Sequence, residues 1–198
     1  MIAHLRGTVF AKHPGQVVVE AGGVGYDVNV PISTYSSLPA AGAQVQLFIH
    51  THVREDALAL FGFLTQEEKT LFERLIDVGG IGPKLAVTVL SGLPTPDLVA
   101  AIRHGQVEQL VRIPGVGKKT AERIVLELRD KLGPLGAGAA PTGTPEALLS
   151  SLEQDVISAL MNLGCTRAAA ETAVRKAKAA GGAETFEPMF RKAMEMIR

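Results

Sequence analysis

Hydrophobic and polar positions change rhythm twice along the chain. Early on, Val24, Tyr26, Val28 and Val30 alternate with Gly25, Asp27 and Asn29. A period of two places one face of a strand against a core and the other toward water. β-prone runs of this kind cover 2–10, 16–20, 24–30, 44–50 and 57–63, separated by Gly, Pro and Ser turns. Five short strands within residues 1–63 predict a small barrel, with the OB-fold the natural candidate. Closure would spare so small a sheet its exposed edges.

From residue 64 the spacing becomes helical. Thr65 precedes Gln66-Glu67-Glu68, a capping-box pattern with Thr65 as N-cap and Glu68 at the third helical position. Leu71, Phe72, Leu75 and Ile76 then form one apolar stripe. The stretch 133–145 reads GPLGAGAAPTGTP, with four Gly, three Pro and no charge, which marks a flexible linker. Helical spacing returns beyond it. Leu149, Leu152, Val156, Leu160 and Leu163 line one helix that Gly164 ends, and an Ala-rich helix follows over 167–180. In a third, Phe186, Met189, Phe190, Ala193, Met194 and Ile197 share a face. The expected architecture is therefore multidomain α+β: an OB-fold barrel (1–63), an all-α domain (64–132), a flexible linker (133–148) and a three-helix bundle (149–198).

The strongest local feature is an internal repeat. Val78-Gly79-Gly80-Ile81-Gly82-Pro83-Lys84-Leu85-Ala86 is echoed by Ile113-Pro114-Gly115-Val116-Gly117-Lys118-Lys119-Thr120-Ala121, at a constant offset of 35 residues (115 − 80 and 117 − 82). Each copy lies between apolar helical segments, the signature of a helix-hairpin-helix. Gly80 and Gly82, and likewise Gly115 and Gly117, permit positive φ and let the backbone approach a ligand with no Cβ in the way. Ile81 and Val116 between them should tuck into the helix pair. The free N–H groups of the next helix then point outward, where the dipole favours a phosphate. Lys84, Lys118 and Lys119 add charge in that first turn, and Arg123, one turn later, is expected on the same face. Two such hairpins would grip consecutive phosphates, so binding should follow shape and ignore sequence.

Charge complicates this picture. Lys+Arg number 20 and Asp+Glu 20, a net of zero where nucleic-acid binders are often basic. No segment escapes the balance: basic and acidic side chains number 3 and 4 in 1–63, 10 and 9 in 64–132, and 7 and 7 in 133–198. Any DNA-binding charge must therefore be organised in space. Composition adds less. A hydrophobic share of 46% is globular, and aromatics at 5% leave the core to aliphatic residues. The single cysteine, Cys165, excludes an internal disulfide and reads as a small buried hydrophobe. The N-terminus has neither a signal-peptide pattern nor a transmembrane run, so a cytoplasmic protein without a membrane partner is expected.

Rival chemistries fare poorly. Gly117-Lys118 resembles the end of a P-loop, but Arg112 stands at its first Gly and Lys119 replaces Ser/Thr. Gly22-Gly23-Val24-Gly25 is followed by a strand, unlike a dinucleotide fingerprint. His50 and His52 share a strand face, yet two ligands do not make a metal site. Glu127 and Asp130 read as a solvated helix end, and no Ser/His/Asp or Cys/His set is recognisable. Neither a catalytic residue, a metal nor a cofactor is expected.

Taken in order, these segments resemble the RuvA family of Holliday-junction-binding subunits, over the whole chain. The resemblance rests on Met1-Ile2, Leu5-Arg6-Gly7, Gly22-Gly23-Val24-Gly25-Tyr26, Val53-Arg54-Glu55-Asp56-Ala57 and Leu60-Phe61-Gly62-Phe63. It continues through Gly82-Pro83-Lys84-Leu85-Ala86, Leu90-Ser91-Gly92 and Pro114 to Arg123. It implies sequence-independent binding of four-way junction DNA by a homotetramer, in some members two tetramers face to face. It further implies a scaffold that opens the junction and recruits the hexameric RuvB ATPase through 149–198, for branch migration in recombination, DNA repair and the SOS response. Glu55 and Asp56 match the family's acidic pin, carboxylates that meet the crossover; by their own pattern they are an ordinary hairpin tip. Cys165 departs from the family, whose members often carry an aromatic residue there. Leu160, Leu163 and the Ala-rich helix are candidates for touching the ATPase, or plain core. Two other functions compete. A helix-hairpin-helix repair enzyme acting on damaged duplex would place a catalytic Asp downstream of the hairpin, where only Asp130 is available. A pure protein-interaction module would show no salt-dependent DNA affinity.

Overall fold

The computed structural model describes residues 1–55, 57–133, 135, 151–179 and 185–197, which divide into two compact units, 1–140 and 141–198. The first unit opens with five strands: β1 (His4–His13), β2 (Gln16–Ala21), β3 (Val24–Asn29), β4 (Gln44–Val53) and β5 (Leu58–Phe63). They close a barrel in the order β1-β2-β3-β5-β4, with β4 returning to β1. Neighbours are antiparallel except β3 and β5, which run parallel. The expected alternation holds at Val28 and Val30, both fully buried, but not at Val24, which is 51% exposed beside the turn. Val17, Val19, Val28, Leu47 and Ile49 fill the interior at 1% exposure or less. Gly22 and Gly23 link β2 to β3 with φ of +60° and +81°, the positive pair that a two-residue hairpin turn requires. A short helix, α1 (Ile32–Ser37), interrupts the barrel before β4.

Five helices follow: α2 (Gln66–Ile76), α3 (Pro83–Gly92), α4 (Thr95–Arg103), α5 (Val107–Val111) and α6 (Lys118–Leu128). The capping box at α2 forms as expected. Thr65 Oγ1 accepts from the Glu68 N–H at 3.1 Å, and Glu68 Oε2 accepts from the N–H groups of Thr65 and Leu64. Barrel and helices share a core along β5. Leu60 packs into the barrel interior, whereas Phe61 and Phe63 join the helical core, their rings 5.2 and 5.0 Å from that of Phe72. Ile32 N–H donates to Ser91 Oγ at 3.0 Å, tying α1 to α3. The hairpins are thus mounted on the barrel.

The second unit holds α7 (Ser151–Asn162), α8 (Arg167–Ala179) and α9 (Phe186–Glu195) around a core of Val156, Ile157, Leu160, Val174, Met189 and several alanines. Gly164, at φ +93°, ends the first helical run as expected. Leu163 does not continue its stripe; it lies in the turn after α7, 63% exposed, while Leu160 is fully buried. On α9 only Met189 and Ala193 are buried, and Phe186 stacks on Phe190 at 5.5 Å. Cys165 is half-buried. Most of the Gly/Pro-rich stretch, 134 and 136–148, lies outside the described residues, as do 149–150, 180–184 and Asp56.

Candidate nucleic-acid interface

The two repeats fold into two hairpins with matching backbone angles at their glycines. In the first, Gly80 has φ +88° and Gly82 is the N-cap of α3 at φ −87°, ψ 169°. In the second, Gly115 has φ +81° and Gly117 caps α6 at φ −79°, ψ 165°. Ile81 and Val116 are each 4% exposed, anchored as their N–H groups donate to Val78 and Ile113 carbonyls, both at 3.0 Å. The two glycines of a hairpin therefore serve different ends. Only the first of each pair needs the left-handed backbone; the second sits in an extended conformation open to any residue. A Cβ on Gly82 or Gly117 would meet nothing within 4 Å, so their bare backbone leaves an approach open from outside.

What stands at that approach is equally consistent. Neither α3 nor α6 has a side-chain cap, and neither has an acidic residue in its first turn. By contrast α2, α4 and α5 start with Glu67 and Glu68, Asp97 and Glu108 respectively. A helix start without cap or carboxylate keeps unsatisfied N–H donors and the positive dipole end facing solvent. Lys84, Lys118 and Lys119 are exposed beside these starts and make no ion pair among the described residues. Three cations thus stand at two positive helix ends, an arrangement that would favour an anion.

Arg123 does not simply join them. Its Nη1 donates to the Gly79 carbonyl at 2.6 Å, and its Nε lies 3.8 Å from Glu127 Oε1. The side chain, 56% exposed, thus reaches from α6 to the first hairpin, 44 residues away in sequence. A matching contact runs the other way: Leu85 of α3 lies against Gly115, 3.7 Å from where its Cβ would be. Gly92 at the end of α3 abuts Ile113, so tightly that a Cβ there would sit 2.8 Å from both Ile113 γ-carbons. These three contacts lock the hairpins into one body with a fixed spacing. Sequence spacing gave no sign of the Arg123 contact, because it crosses between the repeats.

The β4–β5 loop places Glu55 exposed at its tip, above the Arg54 N–H to Ala57 carbonyl bond at 2.8 Å; its companion Asp56 lies outside the described residues. His50 and His52 do lie on one face of β4, but each has a protein partner. His50 Nδ1 is 3.2 Å from Glu73 Oε1, and His52 Nε2 accepts from Arg54 Nε at 3.2 Å.

Comparison with known proteins agrees with this geometry. Residues 1–62 match the family described as RuvA N terminal domain, and 72–130 match the SAM-like helix-hairpin-helix tandem. The chain is 63% identical over 198 residues, the whole of both chains, to the Holliday junction branch migration complex subunit RuvA of Solibacter usitatus. It is 58% identical to the subunit of the same name from Acidobacterium capsulatum over the whole of both. The Myxococcus xanthus subunit is 46% identical, across 100% of this chain and 98% of its own. Full-length identity at this level, with both N-terminal modules matched, means that the chain belongs to the RuvA family of Holliday junction branch migration complex subunits.

Proposed function

We propose that the chain binds four-way junction DNA by shape, through two rigidly spaced hairpins whose helix N-termini and lysines hold phosphates. It acts as the non-catalytic DNA-binding subunit of a branch-migration complex in the cytoplasm. The observation that carries this is the pair of matched hairpins, each opening an uncapped, acid-free helix start beside exposed lysine. Backbone N–H donors and lysines contact phosphates and leave base edges unread, which makes binding sequence-independent. Gly80, Gly82 and Lys84 supply one grip; Gly115, Gly117, Lys118 and Lys119 the other, while Arg123 fixes the distance between them and keeps its outer edge available to a phosphate. A homotetramer would array four such pairs around a centre, where Glu55 and Asp56 repel the crossover phosphates and steer strands into separate arms. The unit at 149–198 would recruit the hexameric RuvB ATPase, with Leu163 offering the exposed apolar contact that buried Leu160 does not. A repair enzyme acting on damaged duplex is not favoured by the family to which the chain belongs.

A gel-shift titration tests this, comparing a four-way junction with linear duplex of the same sequences at two salt concentrations. The expected result is junction selectivity that survives a change of sequence and weakens with salt. Replacing one phosphate-contacting lysine by Gln should reduce the log–log salt slope by about 1. Equal affinity for duplex and junction would reduce the hairpins to generic phosphate grips. Glu55→Gln with Asp56→Asn should keep junction affinity but alter the branch-migration rate; an unaltered rate removes the pin.

A further inference from the structure

Between the foot of the β4–β5 loop and the start of α3 lies an open groove of about 390 Å³, within the range of about 300–1,000 Å³ usual for small-ligand sites. Its apolar lining is Ala57, Ala59, Phe61 and Pro83, with Phe61 buried and Ala59 half-buried. Its polar lining is basic: Arg54 and Lys84, both exposed, and His52. The His52 ring is held from two sides, edge-on to Phe61 at 6.3 Å and accepting from Arg54 Nε at 3.2 Å. The groove therefore has a preset aromatic wall, an apolar floor and cations at its rim.

We infer that this groove receives one unpaired nucleotide at the junction crossover, its base on the apolar floor and its phosphate between Arg54 and Lys84. The inference rests on the junction-binding function proposed above and concerns the step between the first hairpin and the pin. Charge complementarity selects the occupant. Lys84 belongs to the first phosphate grip, so a strand held there enters the groove directly. Glu55, the neighbour of Arg54, lies beyond it, so a phosphate is attracted up to Arg54 and repelled past it. A strand stopped at that boundary has its next base free of the duplex stack, and Phe61, Ala59 and Pro83 offer it cover from water. Those side chains have no directional donors or acceptors, so the groove would accept any base, as in other single-strand sites where stacking and cations dominate.

The test uses the full-length protein and a four-way junction with non-homologous arms, whose crossover cannot move. Affinity is compared for the intact junction and for one lacking the bases (tetrahydrofuran residues) at the crossover. A control junction carries the same lesions inside the arms. Wild-type protein should lose about tenfold on removal of the crossover bases, in keeping with base stacking on aromatic side chains, and nothing on removal of arm bases. Ala57→Leu, at an exposed loop position, and Ala59→Leu, on the floor, should each fill the groove and erase the discrimination, leaving duplex affinity at the wild-type level. Two variants from different parts of the lining guard against one that misfolds. A wild-type protein that prefers junction to duplex yet ignores the missing bases overturns this inference alone. Filled variants that keep the tenfold discrimination overturn it too. A wild-type protein without junction preference overturns the underlying function and this inference with it.

Discussion

Gly80 and Gly82 are two residues apart and do opposite things, so exchanging each for alanine separates stability from binding. At Gly80, φ of +88° forces an L-residue into the left-handed region, at a cost of about 1–2 kcal/mol. Its Cβ would stand 3.5 Å from Arg123 Nη1, an ordinary contact that adds little. For a cooperative unit of this size each kcal/mol moves Tm by roughly 4 °C, so Gly80→Ala should lower Tm by about 4–8 °C. Gly115→Ala should match it, because φ is +81° and the nearest atom is 3.7 Å away. Gly82→Ala faces no such strain. Its φ of −87° suits alanine, nothing lies within 4 Å, and the lost entropy of the unfolded chain favours the variant by about 0.4–1 kcal/mol. The poorer N-cap quality of alanine offsets that by a similar amount. Tm should then stay within a degree or two. The new methyl group, however, stands where, on the proposed binding mode, a phosphate would approach the α3 N–H groups. Losing one charge-assisted hydrogen bond costs about 1.5–3 kcal/mol, a fall in junction affinity of roughly 10–100-fold. Thermal unfolding and gel-shift titration of both variants in one buffer read the two quantities. Wild-type affinity in Gly82→Ala would refute the backbone approach; an unchanged Tm in Gly80→Ala would refute the division of labour between the glycines.

Two further perturbations follow from particular contacts. Arg123→Ala removes the Nη1 bond to the Gly79 carbonyl; with the side chain half-exposed, about 1 kcal/mol of stability should go, measured by urea unfolding. Its junction affinity should fall further than that of Glu127→Gln, which leaves the bond to Gly79 intact; equal affinities would show that hairpin spacing does not matter. In the second unit Glu153 is 3% exposed, and Lys178 Nζ stands 2.5 Å from its Oε1. Lys178→Met strips that partner from a buried carboxylate. Because the Lys178 side chain is 60% exposed, the cost should be about 1–2 kcal/mol rather than that of a fully buried pair. Calorimetry of the full chain should show it in the transition of 141–198 alone.

Local rules reached far into this fold, and their failures have physical causes. The inward positions Val28 and Val30 and the Thr65–Glu68 box were legible because their partners are near in sequence, whereas Val24, next to the turn, is exposed. Helix α1 was not, since Ile-Ser-Thr-Tyr-Ser-Ser has weak helix propensity. Distant bonds hold it: Ile32 N–H to Ser91 Oγ, and Thr34 Oγ1 to Glu68 Oε2 at 3.3 Å. Strands β1 and β4 run past their expected ends, to His13 and Val53, because cross-strand pairs His13↔Gln16 and Val53↔Leu58 extend the ladders up to the turns. At the hairpins the repeat revealed which residues matter but not that Gly82 and Gly117 keep negative φ. A glycine kept for access looks, in sequence, like one kept for conformation. Leu163 followed the helical period into a turn, where the period no longer describes a face.

The neutral net charge, which weighed against DNA binding in the sequence, loses that weight once positions are known. Far-field attraction depends on the sum of charges and is small here. Affinity through phosphate contacts depends instead on how many cations meet phosphates and release counterions, which is a local count. The structure separates the two. Three carboxylates of the helical region have protein partners, Glu68 in a cap, Glu73 with His50 and Lys69, and Glu127 with Arg123, while Asp77 and Glu122 are exposed close to the hairpins in sequence. The first turns of α3 and α6 hold lysine alone among charged residues. Without a broad positive field, a duplex gains little from lying elsewhere on the surface, so weak non-specific binding and a salt slope set by the hairpin lysines should occur together. On the proposed homotetramer, neutrality would then favour discrimination: affinity would be confined to DNA that meets several hairpin pairs at once, as a four-armed junction would and a straight duplex would not.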